Sequence, residues 1–216
     1  MESEVFNIDC MEYMRALPDK CFALAVADPP YGLPAGSTHG RGKLRGRILN
    51  RGNIHRWDQT PGKEFFDELF RVSVNQVIWG GNYFGLPPCR CFVCWDKRQA
   101  WENFSQCEYA WTSFDRPAKM VSISNTYPGK IHPTQKPMEL YTYLLRTFAG
   151  EGDRIFDPMM GSQSSRIAAY RLGLDYAGCE KDEGYFLGGC RRFDEECRGE
   201  YQTGDGKIIK QLNLFE

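Results

Sequence analysis

The chain has 216 residues, 42% hydrophobic and 25% charged, a balance that suits one large globular α/β domain and leaves little room for two. Its formal net charge is −1, so bulk charge points neither toward nor away from a polyanionic partner. The first apolar run is short and flanked by Asp9 and Glu12, and no stretch approaches a membrane span, so neither a secretory signal nor a membrane protein is expected.

In chain order, residues 4–8 read as a strand and 11–17 as a short helix. The apolar run 21–27 reads as a buried parallel strand, and Asp28, Pro29, Pro30 and Tyr31 follow it. A carboxylate at the carboxyl end of such a strand sits where open α/β sheets place ligands. The two prolines stiffen the next backbone and remove two N–H donors, which leaves carbonyls to face a ligand. Carboxylate, carbonyl and ring together can accept two hydrogen bonds from an amino group and stack on a flat base. The bland reading of the same residues is a simple turn.

Residues 32–60 are rich in Gly and Arg and show no periodicity. A loop of that length in a compact domain is usually functional or disordered. It holds Arg41, Lys43, Arg45, Arg47, Arg51 and Arg56 and, from Gly32 to Trp57, no acid. Pro61 suits a helix first turn, and Phe65, Phe66, Leu69 and Phe70 give that helix an apolar face. Strands are expected at 76–79, 91–95 and 108–113, the last two suggesting an antiparallel edge. Residues 115–130 read as irregular, 138–149 as helix, 154–156 as strand, 162–172 as helix, 175–179 as strand and 182–197 as a last amphipathic helix. The remainder, 199–216, reads as a flexible polar tail. Alternating strands and helices imply a doubly wound α/β sheet.

The nine cysteines include several in apolar runs (Cys21, Cys94, Cys179), which suits buried thiols in a reducing cytoplasm. Cys91 and Cys94 have zinc-ligand spacing, with Cys89 and Cys107 nearby. The apolar residues between them fit a core strand better, and no metal is expected.

A second constellation runs from Asp157 through Met159, Gly161, Ser162, Ser164 and Ser165: strand end, small-residue turn, helix start. Free N–H groups at such a helix start favour a carboxylate or other anion. Glu180, nineteen residues after Gly161, ends the next strand, where an acid can hold both hydroxyls of a ribose. Asp157 would suit a positively charged amino group. Ribose, amino group and carboxylate together describe S-adenosylmethionine, against the plainer reading of a structural turn and a surface acid.

These pieces resemble the β-class amino-DNA methyltransferases. The matching segments are Asn7 to Cys10, Asp28 to Tyr31, His132 to Pro137 (His-Pro-Thr-Gln-Lys-Pro), Phe156 to Ser162 and Glu180, with the catalytic motif before the cofactor motif. The resemblance covers about residues 4–198. It implies a seven-stranded, Rossmann-like sheet with circularly permuted motif order, and transfer of a methyl group from S-adenosyl-L-methionine to N6 of a flipped adenine in DNA. Cytosine N4 methylation is the alternative within the class. A catalytically silent DNA- or clamp-binding protein is the alternative outside it.

By the same resemblance, Asp28 and the Pro29 carbonyl would hold the target amine, Pro30 would stiffen the turn, and Tyr31 would stack on the base. Asp157, Met159, Gly161, Ser162 and Ser164 would surround the methionine part of the cofactor, and Glu180 its ribose. Asp9 and Cys10 would lie beside its adenine, and Thr134, Gln135 and Lys136 would close over its carboxylate. His132 reads as structural, because no step needs a strong base. The six cations of the loop would track DNA phosphates, and 115–130 would be a short recognition segment. Relatives often pair as homodimers. Gln163 departs from the family's glycine and is expected either to crowd the cofactor or, at negative φ, to face solvent. The tail residues Gln211, Leu212, Leu214 and Phe215 resemble the short peptide that binds the bacterial DNA polymerase sliding clamp. The implied setting is a bacterial or phage-infected cytoplasm.

Overall fold

The computed structural model describes residues 1–32, 59–99, 105–132, 134–202 and 207–210, without the side chains of 201, 202 and 208–210. In chain order the elements are β1 (Ser3–Phe6), α1 (Cys10–Arg15), β2 (Phe22–Ala27), α2 (Lys63–Val72), β3 (Ser73–Trp79), β4 (Phe92–Asp96), β5 (Cys107–Thr112) and β6 (Lys119–Ser122). Then come α3 (Met138–Phe148), β7 (Arg154–Asp157), α4 (Ser164–Arg171), β8 (Asp175–Cys179), α5 (Glu183–Phe193), β9 (Glu200–Gln202) and β10 (Ile208–Lys210).

One sheet runs β1-β8-β7-β2-β3-β5-β4-β6. Only β5 opposes its neighbours; the other pairings are parallel. The expected doubly wound α/β sheet is present, with eight strands rather than seven. The additional strand, β6, lies inside the segment expected to be irregular. Its four residues are mostly exposed, Met120 at 77%, so no alternation announces it. Its backbone is satisfied by parallel pairing with β4, a non-local contact. The antiparallel strand is therefore not the edge: β5 sits between β3 and β4, and β6 closes that side.

Strand pleating sorts the core into two layers. Leu24, Val26, Val77, Trp79, Ile155 and Tyr176 face α3 and α4, whose Leu140, Leu144 and Ala168 meet them. Ala25, Ala27, Ile78, Phe156 and Ala177 face α1 and α2, with Met14, Phe65 and Leu69. Full burial of side chains of this size contributes about 1.5–3 kcal/mol each. Cys91 is buried with Val93 and Trp95, while Cys94 lies on the opposite pleat, so the strand cannot turn both thiols toward one ion.

Local chemistry sets the helix starts. Asp9 caps α1, its Oδ1 accepting from the Met11 amide at 2.9 Å. Asp182 does the same for α5. Helix α2 begins after Gly62, so Pro61 precedes the cap instead of occupying the first turn as expected. Part of the expected flexible tail is ordered: β9 and β10 form an antiparallel ribbon. No helix among the described residues is long and apolar enough to cross a membrane.

The chain winds outward from β7 to β8 on one side, where the first strand, β1, forms the edge, and from β2 to β3 on the other. Neighbouring β2 and β7 are thus the switch point, where an open α/β sheet leaves a crevice at its carboxyl end.

Candidate active site

Asp28 follows β2 and Asp157 ends β7, so the two acids project from adjacent parallel strands at that crevice. Around Asp28 the structure assembles a compact ionic group. Lys136, 5% exposed, donates to Asp28 Oδ1 at 2.5 Å and lies 3.1 Å from Glu108 Oε2. The Tyr31 hydroxyl donates to the same Asp28 oxygen at 2.9 Å and accepts from Lys136 at 3.2 Å. Lys97, just beyond β4, pairs with the other oxygen of Glu108. The Lys136 ammonium also sits over the rings of Trp79 and Tyr31, at 5.3 and 5.6 Å. Burial pushes the Asp28 carboxyl above its usual range, against the pull of Lys136. Burial works against the Lys136 charge too, but Asp28 and Glu108 outweigh it and raise its pKa. Desolvation would raise Glu108 as well, yet Lys136 and Lys97 hold it down at about 2.

The Tyr31 ring rests on backbone. Gly80 has φ +69°, and a Cβ there would fall 2.2 Å from Tyr31 Cε1, so only glycine fits on both counts. Tyr31 also stacks on Tyr83 at 5.0 Å. Tyr31, expected as a platform for the base, is thus already layered on a second aromatic.

The second constellation is brought together as the sequence implied. Asp157, 1% exposed, accepts from the Met159 amide at 3.0 Å and the Ser165 hydroxyl at 2.6 Å. Glu180 accepts from the Gly161 amide at 3.0 Å and the Asp182 amide at 2.8 Å. Neither acid has an ion-pair partner among the described residues. Burial raises both, Asp157 to about 7. Two acids, Asp157 buried and Glu180 half-buried, without a counter-charge among the described residues make a cleft suited to a cation. Asn7 bonds the Glu180 carbonyl at 2.7 Å and so draws the segment of Asp9 and buried Cys10 to the same strand end. Asp9 itself is taken up as helix cap and by Lys181 at 2.8 Å. Ser162 and Ser164 are buried, and Arg192 of α5 pins them, donating to the Ser162 carbonyl at 3.0 Å and the Ser164 hydroxyl at 2.8 Å.

Gln163 follows neither expected course. It adopts φ 60°, ψ 26° and is fully buried. Its Nε2 donates to the Phe186 carbonyl at 3.2 Å and contacts Cys190 Sγ, while Oε1 accepts from Arg166 at 2.9 Å. The whole amide is spent between α4 and α5, neither crowding the cleft nor facing solvent. Gly189 makes the space: a Cβ there would lie 2.7 Å from Gln163 Cγ.

Of the segment expected to close over a carboxylate, Gln135 is buried and holds its own loop, its Oε1 accepting from the Ile131 amide at 3.0 Å. Thr134 is exposed and bonds the His132 ring. Lys136 belongs to the Asp28 group instead, because two carboxylates neutralise it there. His132 is lowered to about 4, first by burial and then by Lys136, so its imidazole is neutral at pH 7. Glu108, Lys97 and Tyr83 were missed in the sequence. Their only signals are an acid in an apolar strand, a lysine closing another, and an aromatic after a glycine pair. Arg41, Lys43, Arg45, Arg47, Arg51 and Arg56, and Gln211, Leu212, Leu214 and Phe215, lie outside the described residues.

In sequence and in fold the chain is similar to DNA methyltransferases. Residues 95–187 match the family described as DNA methylase. The chain is 27% identical over 151 residues to the Type II methyltransferase M2.DpnII of Streptococcus pneumoniae, covering 69% of this chain and 52% of that protein. It spans about half the length of the curated relatives it matches. Among solved structures, TTHA0409 of Thermus thermophilus, described as a DNA modification methylase, superposes with TM-score 0.59 at 18% identity, over 91% of this chain and 96% of that one. The PvuII DNA methyltransferase, described as cytosine-N4-specific, superposes with TM-score 0.62 at 14% identity, over 88% and 86%.

Proposed function

We propose that the chain is an S-adenosylmethionine-dependent DNA methyltransferase acting on the exocyclic N6 of a flipped-out adenine. The observation that carries this is the meeting, at one sheet crevice, of Asp28 with its two prolines and of Asp157 and Glu180, which have no ion-pair partner among the described residues. The cleft fits the cofactor by its donor set. Asp157 would take the amino group, Glu180 the ribose hydroxyls, and the turn through Met159, Gly161 and Ser162 the methionine part. Bound there, the cofactor supplies an electrophilic methyl group on a sulfonium sulfur.

The chain's own work is capture and orientation. The adenine amine is a poor nucleophile because its lone pair is delocalised into the ring. Asp28 and the Pro29 carbonyl accept its two N–H bonds and favour a tetrahedral nitrogen with the lone pair free. The methylated nitrogen carries one proton too many, and the Asp28 carboxylate, its proton affinity raised by burial, is placed to take it. Extruding the base costs about a few kcal/mol, which stacking on the Tyr31–Tyr83 pair would offset in part.

An aspartate at the head of the motif resembles the adenine enzymes. The amine chemistry of cytosine N4 is nearly the same, and the PvuII fold neighbour makes it the second reading. Gln163, turned between two helices, removes the ground for a silent binding protein. Arg41 to Arg56 would contact phosphates, and Gln211 to Phe215 would tether the chain to a sliding clamp. Deleting 211–216 should then abolish clamp pull-down and spare activity on short duplexes. A homodimer would supply recognition surface that 115–130 alone is too short to give.

The test is incubation with labelled S-adenosylmethionine and unmethylated genomic DNA, then digestion to nucleosides. N6-methyladenine is expected. N4-methylcytosine would move the assignment to the second reading, and no methylated nucleoside would reject both.

A further inference from the structure

In the free protein the carboxylate assigned to the substrate amine is already occupied. The Lys136 ammonium donates to Asp28 at 2.5 Å, the bond an incoming amino group would make. Removing a buried ammonium from its partner without a replacement is strongly unfavourable. The structure provides the replacement: Glu108 lies 3.1 Å from the same nitrogen, and Lys97 anchors its far oxygen. We propose that Glu108 is a positioning residue that receives the Lys136 ammonium when the target amine takes its place on Asp28. The inference rests on the methyltransferase reading above.

Lys136 is then a resident stand-in for the substrate amine. It keeps Asp28 ionised before the substrate arrives, and on yielding Asp28 it retains its ion pair with Glu108. The groups that bear on this pair come from every surrounding element. Tyr31 follows β2, Trp79 ends β3, Glu108 is on β5 and Lys97 follows β4. Tyr141 of α3, Asp157 of β7 and the neutral His132 ring also lie within electrostatic reach of the pair. Among them Lys136 is the cation in contact with Asp28.

The test compares single-turnover methylation of genomic DNA by the wild-type protein with that of Glu108→Gln, Lys136→Met and the double variant. Wild-type transfer comes first: its absence would fail the methyltransferase reading, not this one. With transfer present, Glu108→Gln leaves Lys136 locked on Asp28. Its rate should fall about tenfold or more, with cofactor affinity within about twofold of wild type. Adding Lys136→Met removes the competitor, so the double variant should be faster than Glu108→Gln alone. A merely structural Glu108 predicts the reverse, and a double variant as slow as or slower than the single overturns the proposal. Should Glu108→Gln not fold, Lys136→Met decides alone. Without its cation, Asp28 should move the acid limb of kcat/KM upward by about one pH unit or more. An unmoved limb refutes parking of the ammonium on Asp28.

Discussion

Asp157 is a carboxyl enclosed by a backbone amide, a serine hydroxyl and apolar strands, with no cation against it among the described residues. Burial carries it from an ordinary 3.8 to about 7. The sign follows from proton counting. Between those values the unfolded carboxyl binds fewer protons than the folded one, so this group's contribution to stability is full below 3.8 and is lost as pH rises through about 7. A bound cation reverses the preference, because it favours the charged form. Affinity for S-adenosylmethionine should therefore climb as pH rises toward about 7, by up to about tenfold per unit, and level off above. Titration calorimetry from pH 5.5 to 8.5 (about the stable range for most proteins) checks it. Asp157→Asn should bind more weakly and without the slope, and a wild-type affinity flat across that range would show that Asp157 does not meet the charge.

At the scale of elements, the turn proposed to hold the cofactor is braced from behind by α5. Gln163 sits in a left-handed conformation that costs a non-glycine residue about 1–3 kcal/mol, and its three polar contacts with Phe186, Cys190 and Arg166 hold it there. Gly189→Ala would drive a Cβ into that side chain and should destabilise the protein by about 1–3 kcal/mol. Gln163→Ala should also destabilise, since it leaves Arg166, 6% exposed, without that acceptor. Combined, the two should cost less than their sum, because the alanine removes the atoms the new Cβ strikes. Thermal denaturation of the four proteins measures the coupling; strict additivity would mean the helices do not meet through this pair.

The same elements show how far a sequence can be read. Asp28 to Tyr31 and Asp157 to Ser162 are legible because each site is local: strand, then turn, within a few residues. The partners of Lys136 are not, because they lie 108 residues away at Asp28 and on β5 at Glu108. Nothing in the His-Pro-Thr-Gln-Lys-Pro segment says which of two acidic sites its lysine enters. That is decided by sheet order, which sets β5 beside β3. Strand β6 was hidden for the same reason. Gln163 was misjudged because its direction depends on a glycine twenty-six positions on, at Gly189.

For the whole molecule, charge has to be segregated before it can draw a polyanion. With 27 basic and 28 acidic residues, no net field pulls DNA toward the protein. Several of the described cations are spent within the fold: Lys97, Lys136, Arg71, Arg154, Arg171 and Arg192 all pair with acids. The phosphate footprint proposed above centres on Arg41, Lys43, Arg45, Arg47, Arg51 and Arg56, in a stretch without a single acid. Each phosphate neutralised contributes about −0.9 to the slope of log affinity against log salt. Full use of these six cations predicts a slope near −5, read by anisotropy of a labelled duplex across a potassium chloride series. Replacing all six with glutamine should flatten the slope to about −1 or less while sparing cofactor affinity, because none of the six is among the residues proposed to hold the cofactor. A slope that survives the replacement would return this loop to a solvated segment and require another face of the sheet to hold the DNA.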